Sequence, residues 1–114
     1  MQLSKIECLI DPFQLLPVKE ALIKFGVSGM TVYEVKGFGS AYEHKEVYRG
    51  TEYKVEFTPK VKLELLVAAD RVDDTIDIIY QAAKSKSEND GKVIVTPLDS
   101  ILRIRTGEWD MNAI

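Results

Sequence analysis

Apolar residues at Leu3, Ile6, Cys8, Leu9 and Ile10 predict a first strand over Leu3 to Ile10, stopped by Asp11-Pro12. Pro17 suits the first turn of a helix, where its missing N–H costs nothing. Val18, Ala21, Leu22 and Phe25 follow at helical spacing, and Gly26 reads as the C-cap. Gly29 opens a second strand over Met30 to Phe38, rich in the strand formers Thr31, Val32, Tyr33 and Val35. A third strand runs from Val61 to Ala69 with Leu63, Leu65, Leu66 and Val67. Asp70 or Asp73 is placed to cap the next helix, whose buried stripe is Val72, Ile76, Ile79, Ala82 and Ala83. Ser85 to Gly91 is a polar turn, Lys92 to Leu98 a fourth strand and Ile101 to Arg105 a short fifth one. Residues Thr106 to Ile114 form a polar tail with one Trp, Trp109.

Gly39 to Glu56 breaks this rhythm. It combines glycine, several charges and the tyrosines Tyr42, Tyr48 and Tyr53, with no clean apolar face. It reads as a long loop, and loops of this length in small domains tend to carry function. The order of elements is then β-α-β-loop-β-α-β-β. Two βαβ halves imply an α+β ferredoxin-like βαββαβ sandwich with both helices on one sheet face. The other face carries enough apolar residues to argue for self-association.

Length and charge narrow the function classes. The 114 residues make one domain, 1–114. Lys plus Arg is 15 and Asp plus Glu is 18, a net charge of −3. That balance argues against general nucleic-acid or membrane-surface attraction, while leaving room for a local phosphate-binding patch. The one cysteine, Cys8, allows no internal disulfide and reads as a small core residue. No apolar run is long enough to cross a membrane and Met1 to Ile10 has no signal-peptide pattern, so a cytoplasmic protein is expected.

The strongest chemical unit is Asp90-Gly91-Lys92 together with Arg103 and Arg105. Glycine lets backbone approach a phosphate, lysine supplies a point charge and arginine a forked donor. Two residues apart on a strand, Arg103 and Arg105 would share a face. The alternative is a solvated edge strand with ordinary charges, and the two readings stand level. Gly37-Phe38-Gly39 would let a ligand lie against bare backbone, or it is a plain strand-to-loop transition. No P-loop pattern is present. His44, flanked by Glu43 and Glu46, has too few companions for a metal site and reads as solvated. Thr31 and Glu64 face either solvent or a cleft between chains. With one histidine in a polar stretch, no nucleophilic triad can form, so catalysis is not expected.

Taken together, several separated segments resemble the PII signal-transduction family nearly end to end. They are IECLIDPF (6–13), GMTVYEVKGFG (29–39), YRGTEY (48–53), FTPKVKLE (57–64) and RIRTGE (103–108). The resemblance implies a homotrimer with nucleotide sites in the clefts between subunits. It also implies a target-docking T-loop at about 39–56, a nucleotide-site turn at about 84–92 and a C-terminal loop at about 104–114. Carried over, Gly37, Gly39, Gly91, Lys92, Arg103 and Arg105 would cradle the phosphates of ATP or ADP, with Phe38, Asn89 and Asp90 also in the nucleotide site. Thr31, Glu64 and Leu66 would lie by adenine and ribose, with Arg103 and Arg105 arriving from the neighbouring subunit. Tyr42, His44, Tyr48, Arg49, Thr51 and Tyr53 would meet the partner.

The departures from that family are informative. Its magnesium-coordinating glutamine is Ala41 here, and a methyl group offers no oxygen to a hard cation. Lys60, which in the family meets the 2-oxoglutarate carboxylate, is retained, but without the metal bridge 2-oxoglutarate binding is not expected. In the turn before Lys92, Asn89 replaces a glycine and Glu88 adds a negative charge. Thr51 and Tyr53 match positions that are modified in some members, and are expected to be unmodified here. The reading is a non-enzymatic regulator binding ATP and ADP competitively, reporting energy state. It would act through its T-loop on a membrane transporter or metabolic enzyme, in one case recruited to the inner face of the membrane. Two rivals stand beside it: a trimeric interaction module independent of nucleotide, and an ATP/2-oxoglutarate nitrogen sensor.

Overall fold

The computed structural model describes residues 3–38, 44–48, 51–55, 57–84 and 91–114, with only the backbone of 44–48 and 51–55. The order is β1 (Leu3–Ile10), α1 (Leu15–Phe25), β2 (Thr31–Gly37), β3 (His44–Tyr48), β4 (Thr51–Val55), β5 (Thr58–Ala68), α2 (Val72–Ala83) and β6 (Lys92–Leu98). Short 3-10 turns precede both helices, at Pro12–Gln14 and Ala69–Arg71, and a third spans Asp110–Ala113.

Four strands form one antiparallel sheet in the order β2-β5-β1-β6. This is the expected ferredoxin-like arrangement, with β5 and β1 inside and β2 and β6 at the edges. Register sorts the side chains. Ile6, Cys8 and Ile10 of β1 and Val61, Leu63, Leu65 and Val67 of β5 are buried on one face. Val18 and Leu22 of α1 and Ile79 of α2 pack onto that face and complete the core. The helical spacing of α1 is thus realised at Val18 and Leu22. Gly26 ends α1 in the left-handed region (φ +106°), with its N–H donated to the Ile23 carbonyl at 3.0 Å, as a C-cap requires.

The opposite face exposes Tyr33, Leu66 and Ile94, and beside these apolar residues it carries charges. Lys5, Glu7 and Lys62 form a connected row, with Glu7 3.5 Å from each lysine. Lys62 also lies 4.5 Å from the centre of the Tyr33 ring.

Five features differ from the sequence reading. Residues 39–56 are not a plain loop, because β3 and β4 pair as an antiparallel hairpin from His44↔Val55 to Tyr48↔Thr51. Val47, Tyr48, Thr51, Tyr53 and Val55 are strand formers, and their interleaved charges hid the alternation. β5 begins three residues early, at Thr58. Its first residues pair with β2 alone, beyond the end of β1, where Pro59 is tolerated. Neither Asp70 nor Asp73 caps α2. Arg71 holds that position without a side-chain cap bond, and Asp73 and Asp74 sit in the first turn, where the helix dipole favours acids. Thr75, overlooked in the helical stripe, is fully buried because its hydroxyl donates to the Arg71 carbonyl at 2.7 Å. Ile101–Arg105 makes no strand, only an isolated bridge between Leu102 and Trp109.

Cys8 is the small core residue expected. Burial pushes its thiol up from 9.0 to about 11. The unfolded thiol ionises first, so folding loses stability from this group as pH rises from about 9 to about 11, and nothing is lost below. Cys8 is therefore expected to resist thiol reagents at pH 8 until denaturant is added, which absorbance-monitored labelling checks. Gly26→Ala is expected to cost about 1 kcal/mol and Leu63→Ala about 2–5 kcal/mol in urea unfolding.

Candidate functional site

Loop 26–30, the start of β2 and the far end of β5 wall a cleft of about 770 Å³. Thr31 stands directly opposite Glu64 in the β2–β5 register, and Leu66 lies two residues on along β5. The cleft therefore gathers Thr31, Glu64 and Leu66, with Arg103, Met111 and Ile114 closing its other side. This is an apolar wall with a hydroxyl, a carboxylate and a guanidinium converging on it, the usual composition of a small-ligand site.

Arg103 comes there by a route the sequence did not give. The segment after β6 turns back on itself: Gly107 N–H donates to the Arg103 carbonyl at 2.8 Å, and Arg103 N–H to the Glu108 carbonyl at 2.9 Å. Gly107 has φ +72°, a conformation that suits glycine. Asp110 bonds Ile101 twice, through its N–H to the Ile101 carbonyl (2.8 Å) and its Oδ1 to the Ile101 N–H (3.1 Å). The fold-back carries Ala113 into a buried position, where its carbonyl accepts from Arg103 Nε at 3.3 Å. Arg103 and Arg105 thus do not share a strand face: Arg103 is half-buried and faces the cleft, while Arg105 is exposed in the turn.

The other expected ligand residues lie elsewhere. Gly37 and exposed Phe38 sit at the opposite end of β2 from Thr31, about 20 Å along the strand. Gly91 immediately precedes β6 and exposed Lys92 begins it, at the other edge of the sheet. Three inter-strand spacings, about 14 Å, separate the β2 and β6 edges. Gly91 also has a packing reason to be glycine, since an added Cβ would lie 2.9 Å from the Leu9 carbonyl oxygen. Gly39, Ala41, Tyr42, Arg49, Asn89 and Asp90 lie outside the described residues. So do the side chains of His44, Tyr48, Thr51 and Tyr53, whose backbone places them in the β3–β4 hairpin. Among the described residues no cluster of metal-ligating side chains occurs.

Sequence reasoning missed two positions. Arg71 lines the cleft, stacking 4.3 Å from the centre of the Phe25 ring and donating from Nη2 to the Phe25 carbonyl at 3.3 Å. Its neighbour Asp70 drew attention as a cap and hid it. Asp11, read only as a strand stop, makes a buried ion pair with Lys60. The signal was the register: continuing one step past Ile10↔Val61 sets Asp11 opposite Lys60. Phe38 and Phe57, both exposed, stack at 5.7 Å where the chain leaves β2 and enters β5, bracing the base of the hairpin.

Comparison with known proteins agrees with this architecture. Residues 3–108 match the family described as "Nitrogen regulatory protein P-II". Nitrogen regulatory protein P-II of Klebsiella oxytoca is 49% identical over 112 residues, 98% of this chain and all of that protein. P-II 1 of Escherichia coli strain K12 and P-II of Azospirillum brasilense show the same identity and coverage. A crystal structure of Arabidopsis thaliana PII bound to citrate superposes with a TM-score of 0.81 at 33% identity, covering 99% of this chain and 92% of the other. The chain belongs to the P-II nitrogen regulatory protein family.

The buried pair at the other end of the sheet is open to a direct test. Lys60→Met removes the cation beside the buried Asp11 carboxylate and is expected to cost about 3–5 kcal/mol, whereas Asp11→Leu with Lys60→Met is expected to stay within about 1–2 kcal/mol of the native chain. Urea unfolding of both variants measures the difference.

Proposed function

We propose that this P-II protein is a non-enzymatic signal-transduction regulator. It binds ATP and ADP competitively between subunits of a homotrimer and signals energy state to a target protein through the β3–β4 hairpin. The observation that carries the reading is the division of the expected ligand residues. One cleft gathers Thr31, Glu64, Leu66 and Arg103, while Gly37 and Lys92 stand on opposite sheet edges. A site using both edges needs a second copy of the chain, which supplies a β6 edge against the β2 edge of its neighbour. Arg103 supplies a forked donor for phosphate or ribose oxygens, Lys92 a point charge for a phosphate, and Thr31 and Glu64 polar partners for a base or sugar.

The Arg103 guanidinium is already engaged by the Ala113 carbonyl. Nucleotide would exchange that neutral acceptor for an anionic one, a stronger hydrogen bond. No described helix is long and apolar enough to cross a membrane. A transporter target would therefore be met as a docking partner, as would a metabolic enzyme.

The rival reading, an interaction module independent of nucleotide, draws on Gly91, whose glycine is already explained by the Leu9 carbonyl. Calorimetric titration with ATP and ADP separates the two. The expected result is binding of each nucleotide, mutual competition, and no increase of affinity on adding 2-oxoglutarate with magnesium. Absence of binding by either nucleotide favours the rival. Enhancement by 2-oxoglutarate favours a carbon/nitrogen sensor. Lys92→Ala is expected to weaken both nucleotides about ten- to a hundredfold, the worth of one hydrogen bond to a charged group.

A further inference from the structure

Arg71 and Arg103 reach the cleft from different elements, Arg71 from the turn between β5 and α2 and Arg103 from the fold-back after β6. Each donates to a neutral backbone carbonyl at 3.3 Å, Arg71 through Nη2 to Phe25 and Arg103 through Nε to Ala113. Neither makes an ion pair among the described residues, where the paired cations are lysines, although Glu64 and Asp70 line the same cleft. A guanidinium carries several N–H donors in a fixed fork, so each arginine keeps most of its donors for water or a ligand. Arg71 is also already posed. Its guanidinium lies 4.3 Å from the centre of the Phe25 ring, and a side chain stacked in this way surrenders less freedom on binding. Position along the sheet says what Arg71 would meet. Gly37 pairs with Thr58 next to the hairpin, Thr31 pairs with Glu64 further along β5, and Arg71 lies past the end of β5 at Ala68. A nucleotide with its 5′ phosphates toward Gly37 and its nucleoside at Thr31 and Glu64 therefore has Arg71 on the side away from the 5′ chain.

We propose that Arg71 is a specificity-determining residue that fits the cleft to nucleotides carrying a second phosphate, on the 2′ or 3′ oxygen of the ribose. A phosphate is the acceptor a guanidinium fork holds best, because two of its oxygens meet two donors side by side. ATP and ADP present no anion on that side and leave Arg71 on the Phe25 ring. A nucleotide with a ribose phosphate engages both arginines, Arg103 on the 5′ side or at the ribose oxygens and Arg71 at the added group. The chain as a whole exerts no pull on such an anion, since its net charge is −3, so the preference has to come from the local pair. The inference rests on the reading that this cleft holds a nucleotide and goes beyond it in the class of nucleotide.

The test is calorimetric titration of the full chain with AMP, adenosine 3′,5′-bisphosphate and adenosine 2′,5′-bisphosphate at equal ionic strength. The native chain is expected to bind one of the bisphosphates about ten- to a hundredfold more tightly than AMP, the worth of a hydrogen bond to a charged group. Which isomer gains tells which ribose oxygen carries the phosphate. Arg71→Gln removes the charge and the fork, and is expected to bring that ratio close to one. Arg71→Lys keeps a point charge without the fork, and is expected to leave an intermediate ratio. The ratio is read within one chain, so a general weakening of the cleft does not imitate the result. Should Arg71→Gln not fold, Phe25→Leu, which takes away the ring that poses the fork, takes its place and is expected to lower the ratio. Equal affinity of the native chain for AMP and both bisphosphates overturns the proposal, as does failure of both bisphosphates to bind. So does a preference that survives Arg71→Gln. ATP and ADP titrated into the same native chain keep the two readings apart. Their binding with no gain from a ribose phosphate overturns this inference alone, whereas a bisphosphate that binds with the expected preference while ATP and ADP do not overturns the ATP/ADP reading alone.

Discussion

The antiparallel pairing of β5 with β1 on one side and β2 on the other is the constraint on which the rest depends. It turns Leu63 and Leu65 toward the helices together with Ile6 and Cys8, and so defines the core face. A slip of one residue would bring Lys62 and Glu64 into the core and expel the leucines, so burial itself enforces the register. The same register sets Thr31 beside Glu64 at one end of the sheet and carries Asp11 to Lys60 at the other. Cleft and ion pair are two ends of one strand pairing.

That dependence explains what was legible in the sequence. The elements that bury apolar residues against this sheet announced themselves through periodicity. β1, α1 and β6 were readable to within a residue or two, and Gly26 gave the end of α1 through its lack of a Cβ. Family-like segments added the expected ligand residues, and of these the cleft brings Thr31, Glu64, Leu66 and Arg103 together. The β3–β4 hairpin was not legible, because its strand formers alternate with charges and present no apolar face to count. Arg103 and Arg105 looked like one face of a strand. Only the backbone bonds of Gly107 and Glu108 to Arg103 turn that segment into a fold-back. Asp11 escaped notice for a similar reason: an acid before proline reads as a strand stop, and its partner is 49 residues away.

The division of labour across the sheet is also physical. Its helix-covered face is apolar and settles stability. Its open face carries the Lys5–Glu7–Lys62 row, whose partly exposed charges contribute little energy singly and more to the choice of what packs there. A surface of that kind favours a partner that matches its charges over one that merely covers it.

The two open edges of the sheet bear on the chain's life before it meets any partner. β6 runs Lys92-Val93-Ile94-Val95-Thr96-Pro97-Leu98, a short β-prone stretch at the sheet edge with no outer partner strand among the described residues, and with Ile94 and Val95 exposed. Such a strand is a template for misdirected association during synthesis. Lys92 at one end and Pro97 near the other flank it, a charge and a missing N–H that act as gatekeepers. The residue read first as a phosphate contact thus also guards the newly made monomer against aggregation, and replacing it exposes the chain to that hazard whether or not nucleotide is ever bound.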